Sequence, residues 1–180
     1  MTATDEALMK AYCQGETPAF DELLSRYRTP LFTTLCRLAG DRTLAEDLYQ
    51  ETFLRVIQHA GRFDPRQKFS AWLYRIARNL SVDALRQRGV RLEQELDDGH
   101  EDPAPDPEQA LTQAEQGLAI ARSLKLLPLE QREVFVMREF SGLSFNEIAE
   151  ITQCPLNTVL GRMHLAVKKL RAGLAGHVEA

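Results

Sequence analysis

Five side chains between positions 68 and 86 have the types and the spacing for binding chemistry. Lys68, Trp72, Arg75, Asn79 and Arg86 recur at helical intervals, which on an α-helix gathers them within about 60° of arc. Cations meet phosphates, a π-face meets an unstacked base, and an asparagine offers a donor and an acceptor to a base edge. That combination suits single-stranded or melted DNA. From Arg55 to Arg91 there are nine basic residues against two acidic ones, Asp64 and Asp83. A competing reading makes Trp72 part of a core and the arginines a solvated face, and composition alone leaves the two level.

Catalysis has no comparable constellation. His59, His100, His164 and His177 show no metal-ligand spacing, and no glycine-rich phosphate loop or nucleophile motif is present. Cys13, Cys36 and Cys154 are odd in number, far apart and in no CxxC pair. They read as small core residues in a reducing compartment, not as a disulfide framework or a zinc site. An enzyme is therefore the least supported class, and no cofactor or metal is expected.

A second binding element lies near the C-terminus. Leu127-Pro128 opens a helix with Val134, Phe135 and Met137 among its apolar positions. Ser144-Phe145-Asn146-Glu147 is a capping box that starts a short helix through Ile151. The connection Thr152-Gln153-Cys154 leads to Pro155, suited to the first turn of another helix. That last helix should bury Val159, Met163, Ala166 and Leu170, and point Asn157, Leu160, Gly161, His164 and Lys168 outward. The pattern is a helix-turn-helix, whose second helix enters the major groove; the alternative is a bundle with no DNA role.

The elements that must position these groups are helical throughout. Residues 44–60 give the clearest case, with Ala45, Leu48, Tyr49, Thr52, Phe53, Val56, Ile57 and Ala60 on one stripe. Asp47, Gln50, Glu51 and Gln58 lie opposite, and Leu54 is stranded among them as a candidate partner contact. A long helix follows from about Phe69 to Arg88, with Phe69, Leu73, Ile76, Ala77, Leu80 and Ala84 facing inward. No alternating strand pattern of useful length occurs.

The chain has 180 residues and a net charge of −4, but the charge is unevenly spread. Residues 1–88 carry 13 Lys/Arg against 11 Asp/Glu, and residues 113–180 carry 8 against 7. Residues 89–112 hold one Arg, eight acids and three closely spaced prolines, Pro103, Pro105 and Pro107. We read them as an acidic, flexible linker between a domain at 1–88 and a domain at 113–180. The fold expectation is all-α, in two small domains. No apolar run approaches the roughly 20 residues of a membrane span, and the acidic Met1–Glu6 lacks the layout of a signal peptide. A cytoplasmic protein without membrane insertion is expected.

With those residues in place the chain resembles an extracytoplasmic-function (ECF) sigma factor, the compact class of bacterial RNA polymerase specificity subunits. Four stretches carry the likeness: Ala19-Phe20-Asp21-Glu22-Leu23-Leu24 with Arg26-Tyr27; Ala45-Glu46-Asp47-Leu48-Tyr49-Gln50-Glu51-Thr52-Phe53; Phe69 through Asn79 to Asp83-Ala84-Leu85-Arg86; and Leu127-Pro128 through Gly142-Leu143-Ser144 and Glu147-Ile148-Ala149 to Thr158-Val159. They follow the family's order and spacing and cover nearly everything except the linker. The resemblance implies that Asp47, Leu48, Gln50, Glu51 and Leu54 dock on the clamp helices of the polymerase β′ subunit. It implies that Arg66, Lys68, Trp72, Arg75, Arg78, Asn79, Asp83 and Arg86 melt the −10 element and hold an extruded base. It implies a −35 reader at Asn157, Thr158, Arg162, His164 and Lys168, with the apolar helices before it cradling the β flap. The acidic linker is similar to those that thread toward the RNA exit channel, and control by an anti-sigma factor is expected.

One stretch departs from the pattern. Relatives carry Lys or another polar residue, then Ser, at positions 160 and 161, and Arg at 165; this chain has Leu160, Gly161 and Leu165. Gly161 costs its helix about 0.8–1 kcal/mol relative to Ala, and fewer cations mean fewer phosphate contacts. Leu160 and Leu165 could instead meet an inhibitor. A sigma-like decoy that binds an anti-sigma factor without reading DNA is the alternative function. A duplex-binding regulator that works without polymerase would leave residues 44–60 unexplained.

Overall fold

The computed structural model describes residues 3–97 and 120–175, all helices and short connections with no strand among them. The labelled helices are α1 (Asp5–Cys13), α2 (Thr17–Ala39), α3 (Arg42–His59), α4 (Phe69–Asp97), α5 (Leu129–Ser141), α6 (Phe145–Thr152) and α7 (Leu156–Ala175). A single 3₁₀ turn, Ala60–Arg62, follows α3, and a helical stretch over 120–125 precedes α5. The all-α, two-domain architecture expected from the pattern is the one observed. Helix α4 runs past Gly89 to Asp97, because extending a helix already nucleated costs far less than starting one. The rest of the acidic segment, with Pro103, Pro105 and Pro107, lies outside the described residues.

Local chemistry fixes the ends. Thr4 caps α1 by accepting from the Ala7 amide at 3.2 Å, and Asp41 caps α3 by accepting from the Leu44 amide at 3.1 Å. Pro18 occupies the first turn of α2, where its missing N–H would be unpaired anyway. Gly40 ends that helix at φ 68°, in the left-handed region that suits glycine.

Helix α4 is held at its N-terminus and again at Arg88. Glu6 of α1 accepts from the Phe69 amide at 2.9 Å, so a carboxylate from another helix caps its positive N-terminus. Farther along, Arg88 donates to Asp41 at 2.8 Å, and with the Leu44 amide it keeps the Asp41 carboxyl below its ordinary pKa. Between these points Phe69 and Leu73 are fully buried against Leu23, Leu31, Leu35 and Val56 of the same core. Asp5 adds a polar tie by accepting from Tyr27 at 2.5 Å and from Arg26 at 2.6 Å. Burial, and then the hydrogen bond to Asp5, pushes the Tyr27 hydroxyl far above its ordinary pKa.

The two domains are closed on each other. Val134, Met137, Leu143, Ile148, Ile151 and Val159 of the C-terminal domain join the cluster formed by Phe20, Leu35 and Phe69 in the N-terminal one. Helix α5 lies along α2, and α6 along α4. Polar contacts line the α2 side: Thr34 and Ser141 share a hydrogen bond of 2.8 Å, and Arg132 donates to the Leu38 carbonyl at 3.0 Å. Arg37 stacks over the Phe140 ring at 5.4 Å. A smaller cluster of Leu124, Leu127, Val136, Ala166 and Leu170 belongs to the C-terminal domain alone.

Two substitutions separate core from surface. Leu35→Ala, at a fully buried position, should lower stability by about 2–5 kcal/mol. Leu54→Ala, on the exposed face of α3, should change it by less than about 0.5 kcal/mol. Chemical denaturation of both variants checks the difference.

Candidate nucleic-acid and partner interfaces

The outer face of α3 carries an apolar patch with a polar rim. Leu54 is 51% exposed and Ile57 44%. Asp47 and Gln50 are exposed beside them, and Glu51 is held by Arg55 one turn on at 2.6 Å. Two sequence assignments change here. Leu48 is buried at 6% exposure, so it supports the patch from beneath and is not on it. Ile57, assigned to the core stripe, faces outward, because α3 packs on α2 and α4 along a seam too narrow to reach it. Leu54 and Ile57 sit one turn apart, and covering the half of each that remains exposed would gain roughly 1 kcal/mol apiece. Next to Gln50, a cavity of about 320 Å³ opens between α2 and α3, lined by Arg28, Phe32, Arg42 and Tyr49 among others. No sequence motif marks it, because its walls come from two helices.

The stripe on α4 divides into two sets. Asn79, Asp83 and Arg86 are exposed. Arg66, in the turn before α4, is exposed too, and forms a two-pronged pair with Asp64 at 2.7 and 3.0 Å. That guanidinium and the Arg66 amide pull the Asp64 carboxyl down to about 2. The other cations point at the C-terminal domain. Lys68 donates to Glu147 at 2.9 Å. Arg75 reaches the Glu150 carbonyl at 3.5 Å while its Nε is buried without a partner. Arg78 grips both oxygens of Glu133, at 2.8 and 3.1 Å.

Trp72 stands at the border of the core. It is half-buried, with its ring 5.1 Å from Phe63 and 6.0 Å from Phe69, and it packs on the edge of the core. Phe63 thus sets the tilt of the indole, a role with no signature in the sequence.

In the C-terminal domain the helix-turn-helix forms as its capping signals require. Ser144 and Glu147 exchange both bonds of the capping box, and Gln153, at φ 55°, turns the chain between α6 and α7. Burial works against the Glu147 carboxylate, but hydrogen bonds from Ser144 and Lys68 outweigh it and hold its pKa below the ordinary value. On α7, Val159, Ala166 and Leu170 are buried, whereas Asn157, Thr158, His164 and Lys168 are exposed. Arg162 departs from the expected role. It turns inward, donating to the Cys154 sulfur at 3.3 Å and lying 3.7 Å from Glu133. Its place on the helix puts it beside α5, where a buried carboxylate draws it. Leu156, Leu160 and Leu165 are 40–46% exposed on the same helix.

Two further corrections concern residue environments. The cysteines were expected in the core, yet Cys13 is exposed and Cys36 and Cys154 are half-buried. Glu133, which no motif marked, is 1% exposed in the middle of the apolar stripe of α5. The available signal was a carboxylate beside Val134 and one turn before Met137, a core position by period.

A helix-turn-helix domain joined to a helical domain with a cation–aromatic stripe is the build of a promoter-recognising transcription protein. Residues 23–91 match the family model of Sigma-70 region 2, and residues 117–170 that of Sigma-70, region 4. The ECF RNA polymerase sigma factor SigW of Bacillus subtilis is 32% identical over 181 residues, covering 92% of this chain and 94% of its own length. SigE of Mycolicibacterium smegmatis, also an ECF RNA polymerase sigma factor, is 36% identical over 167 residues; the match covers 91% of this chain and 65% of that longer relative. The chain belongs to the ECF RNA polymerase sigma factors. Among solved structures it is similar to CnrH in complex with the cytosolic domain of CnrY, with TM-score 0.75, 27% identity and coverage of 97% and 99%. It is also similar to the sigma factor RpoE bound to the anti-sigma factor NepR from Bartonella quintana, with TM-score 0.72, 26% identity and coverage of 87% and 96%. Among the described residues no helix is long and apolar enough to cross a membrane.

The Asp64 pair yields a titration test. A carboxyl with a depressed pKa keeps its contact above the ordinary carboxylate range and loses it as pH falls through the lowered value. Carbon NMR should place the Asp64 midpoint near 2, and Arg66→Ala should raise it part of the way toward the ordinary value of roughly 4, since the amide of residue 66 still donates to the carboxylate.

Proposed function

We propose that this chain binds core RNA polymerase through the outer face of α3, opens the promoter −10 element with α4, and contacts the −35 element with α7. The observation that carries the reading is Leu54, a large apolar side chain left outside on a helix that buries Ala45, Leu48, Phe53 and Val56. Together with Asp47, Gln50, Glu51 and Ile57 it makes a surface for the β′ clamp helices. Lys68, Trp72, Arg75, Arg78, Asn79 and Arg86, with Arg66 at the entry to the helix and Asp83 on its exposed side, form the melting surface. Asn157, Thr158, His164 and Lys168 supply the −35 contacts, and Arg162 joins them only if it leaves Glu133. The apolar residues of α5, covered by α2 while the domains are closed, meet the β flap once the domains separate, and the acidic segment at 89–112 is offered to the RNA exit channel. The protein works by binding and not by catalysis, in the cytoplasm, under the control of an anti-sigma factor. This last point rests on a similar sigma factor solved in complex with an anti-sigma factor.

A second reading draws on α7, where Arg162 faces inward and three leucines face outward. It is the decoy that holds an anti-sigma factor and does not direct transcription. Run-off transcription with purified core polymerase distinguishes the two: promoter-specific transcripts sink the decoy, and their absence despite anti-sigma binding sinks the sigma reading. Leu54→Asp should abolish polymerase binding, measured by co-elution, while the far-UV circular dichroism spectrum stays unchanged. Asn79→Ala combined with Arg86→Ala should leave polymerase binding intact and reduce promoter opening, read by permanganate footprinting, by about 10-fold or more. Trp72→Ala should impair both opening and stability, because the indole also packs on Phe63 and Phe69.

A further inference from the structure

We propose that α7 reads its DNA element by methyl contact: Leu160, beside the bare backbone of Gly161, packs on the 5-methyl group of a thymine in the major groove. The inference rests on the assignment of α7 to the −35 element made above, and names what that helix reads. Helical spacing places Asn157, Leu160, Gly161, His164 and Lys168 within about 100° of arc. All five are exposed, Leu160 at 41%. Leu160 and Gly161 fall in the second turn of α7, within the N-terminal part that contacts base edges when such a helix enters the groove. Leu160 is flanked on its own face by Asn157 one turn before and His164 one turn after, so a polar contact on either side fixes its position over the bases.

Two observations select DNA, and thymine within it, as the occupant of this face. Residues 156–175 contain four Lys/Arg and His164 but no Asp or Glu, a charge balance that matches a polyanion. On the major-groove edge of the bases the thymine methyl is the one methyl group, all the other distinguishing groups being donors or acceptors. An apolar side chain held over that edge therefore has a single good match. Gly161 fits the same reading. A Cβ added there meets nothing within 4 Å, and the backbone is not in the left-handed region. Neither packing nor turn geometry asks for glycine, although glycine weakens the helix. What it supplies is a close approach of backbone to another molecule, which brings Leu160 down to the bases. A methyl contact is also unscreened by salt, so it replaces in specificity part of what the missing cations would give in affinity.

The test removes the methyl from the DNA and the leucine from the protein. Holoenzyme formed from the full chain and purified core polymerase selects from duplexes randomised across the promoter region, and the enriched duplex is the probe. It is resynthesised with deoxyuridine for thymidine throughout the −35 element, which deletes 5-methyl groups and leaves every hydrogen-bonding group in place. Each contacted methyl lost should weaken binding about 4-fold, the equivalent of one buried methyl-sized group. Leu160→Ala should weaken binding to the thymine duplex by a similar factor and erase the difference between the two duplexes, a coupling that a merely structural leucine does not show. Gly161→Ala should raise Tm, because alanine favours the helix, and yet weaken binding to the thymine duplex. Equal binding of the thymine and uracil duplexes, or an enriched element without thymine, overturns the methyl contact and returns Leu160 to a protein partner. The −35 reading then still stands if scrambling the element or Lys168→Ala weakens binding. Binding indifferent to both, or a holoenzyme that enriches no duplex, overturns the −35 reading and the methyl contact with it. If Leu160→Ala fails to fold, the thymine and uracil pair on the unmodified chain still decides.

Discussion

A carboxylate withdrawn from water has to be paired, and in this chain much of the closed arrangement depends on how Glu133 meets that need. The desolvation cost of one buried ion is several kcal/mol, and no group on α5 itself offsets it. Arg78 of α4 and Arg162 of α7 do. To bring α4 to Glu133, the C-terminal domain must lie along the N-terminal one, and the apolar residues around the pair then merge into one core. Apolar burial supplies the bulk of the attraction, because it scales with area and has no directional requirement. The ion pair supplies direction, since its two hydrogen bonds require the Arg78 guanidinium to face the Glu133 carboxylate.

The same placement decides which cations are available. Asn79 and Arg86 are exposed, and Arg66 and Lys68 sit in exposed pairs with Asp64 and Glu147, whereas Arg75 and Arg78 are turned toward the C-terminal domain. A surface read as one continuous stripe is in the closed chain two surfaces with different histories of solvation. The α3 face is untouched by closure: Leu54 and Ile57 stay exposed whether or not the domains are together. The α3 patch and the α4 stripe are therefore separate surfaces in this fold.

Much of the secondary structure was legible because it is set by neighbours along the chain. The capping box at Ser144 and Glu147 and the apolar periods of α3 and α7 depend on spacings of three and four, and they appear where those spacings put them. Asn79, Arg86, Asn157, His164 and Lys168 were readable as outward-facing for the same reason. What was not legible involves residues far apart in sequence. Ile57 matches the core period of α3 yet lies past the edge of the seam. Glu133 looks like an ordinary surface acid in a list of residues, and becomes a buried anchor only when Arg78, 55 positions earlier, is brought against it.

The sequence by itself determined the helices, the two domains, the family and the types of side chain offered to DNA and polymerase. These follow from short-range periodicity, capping and motif spacing, which act within a few turns of the chain. Tertiary structure alone decided that the domains close on each other, that Trp72 is half core and half surface, and that Lys68, Arg75, Arg78 and Arg162 are engaged from within. The physical reason is that the solvation and pairing of a charge depend on everything packed around it. Helical period fixes only the direction in which that charge leaves its own helix.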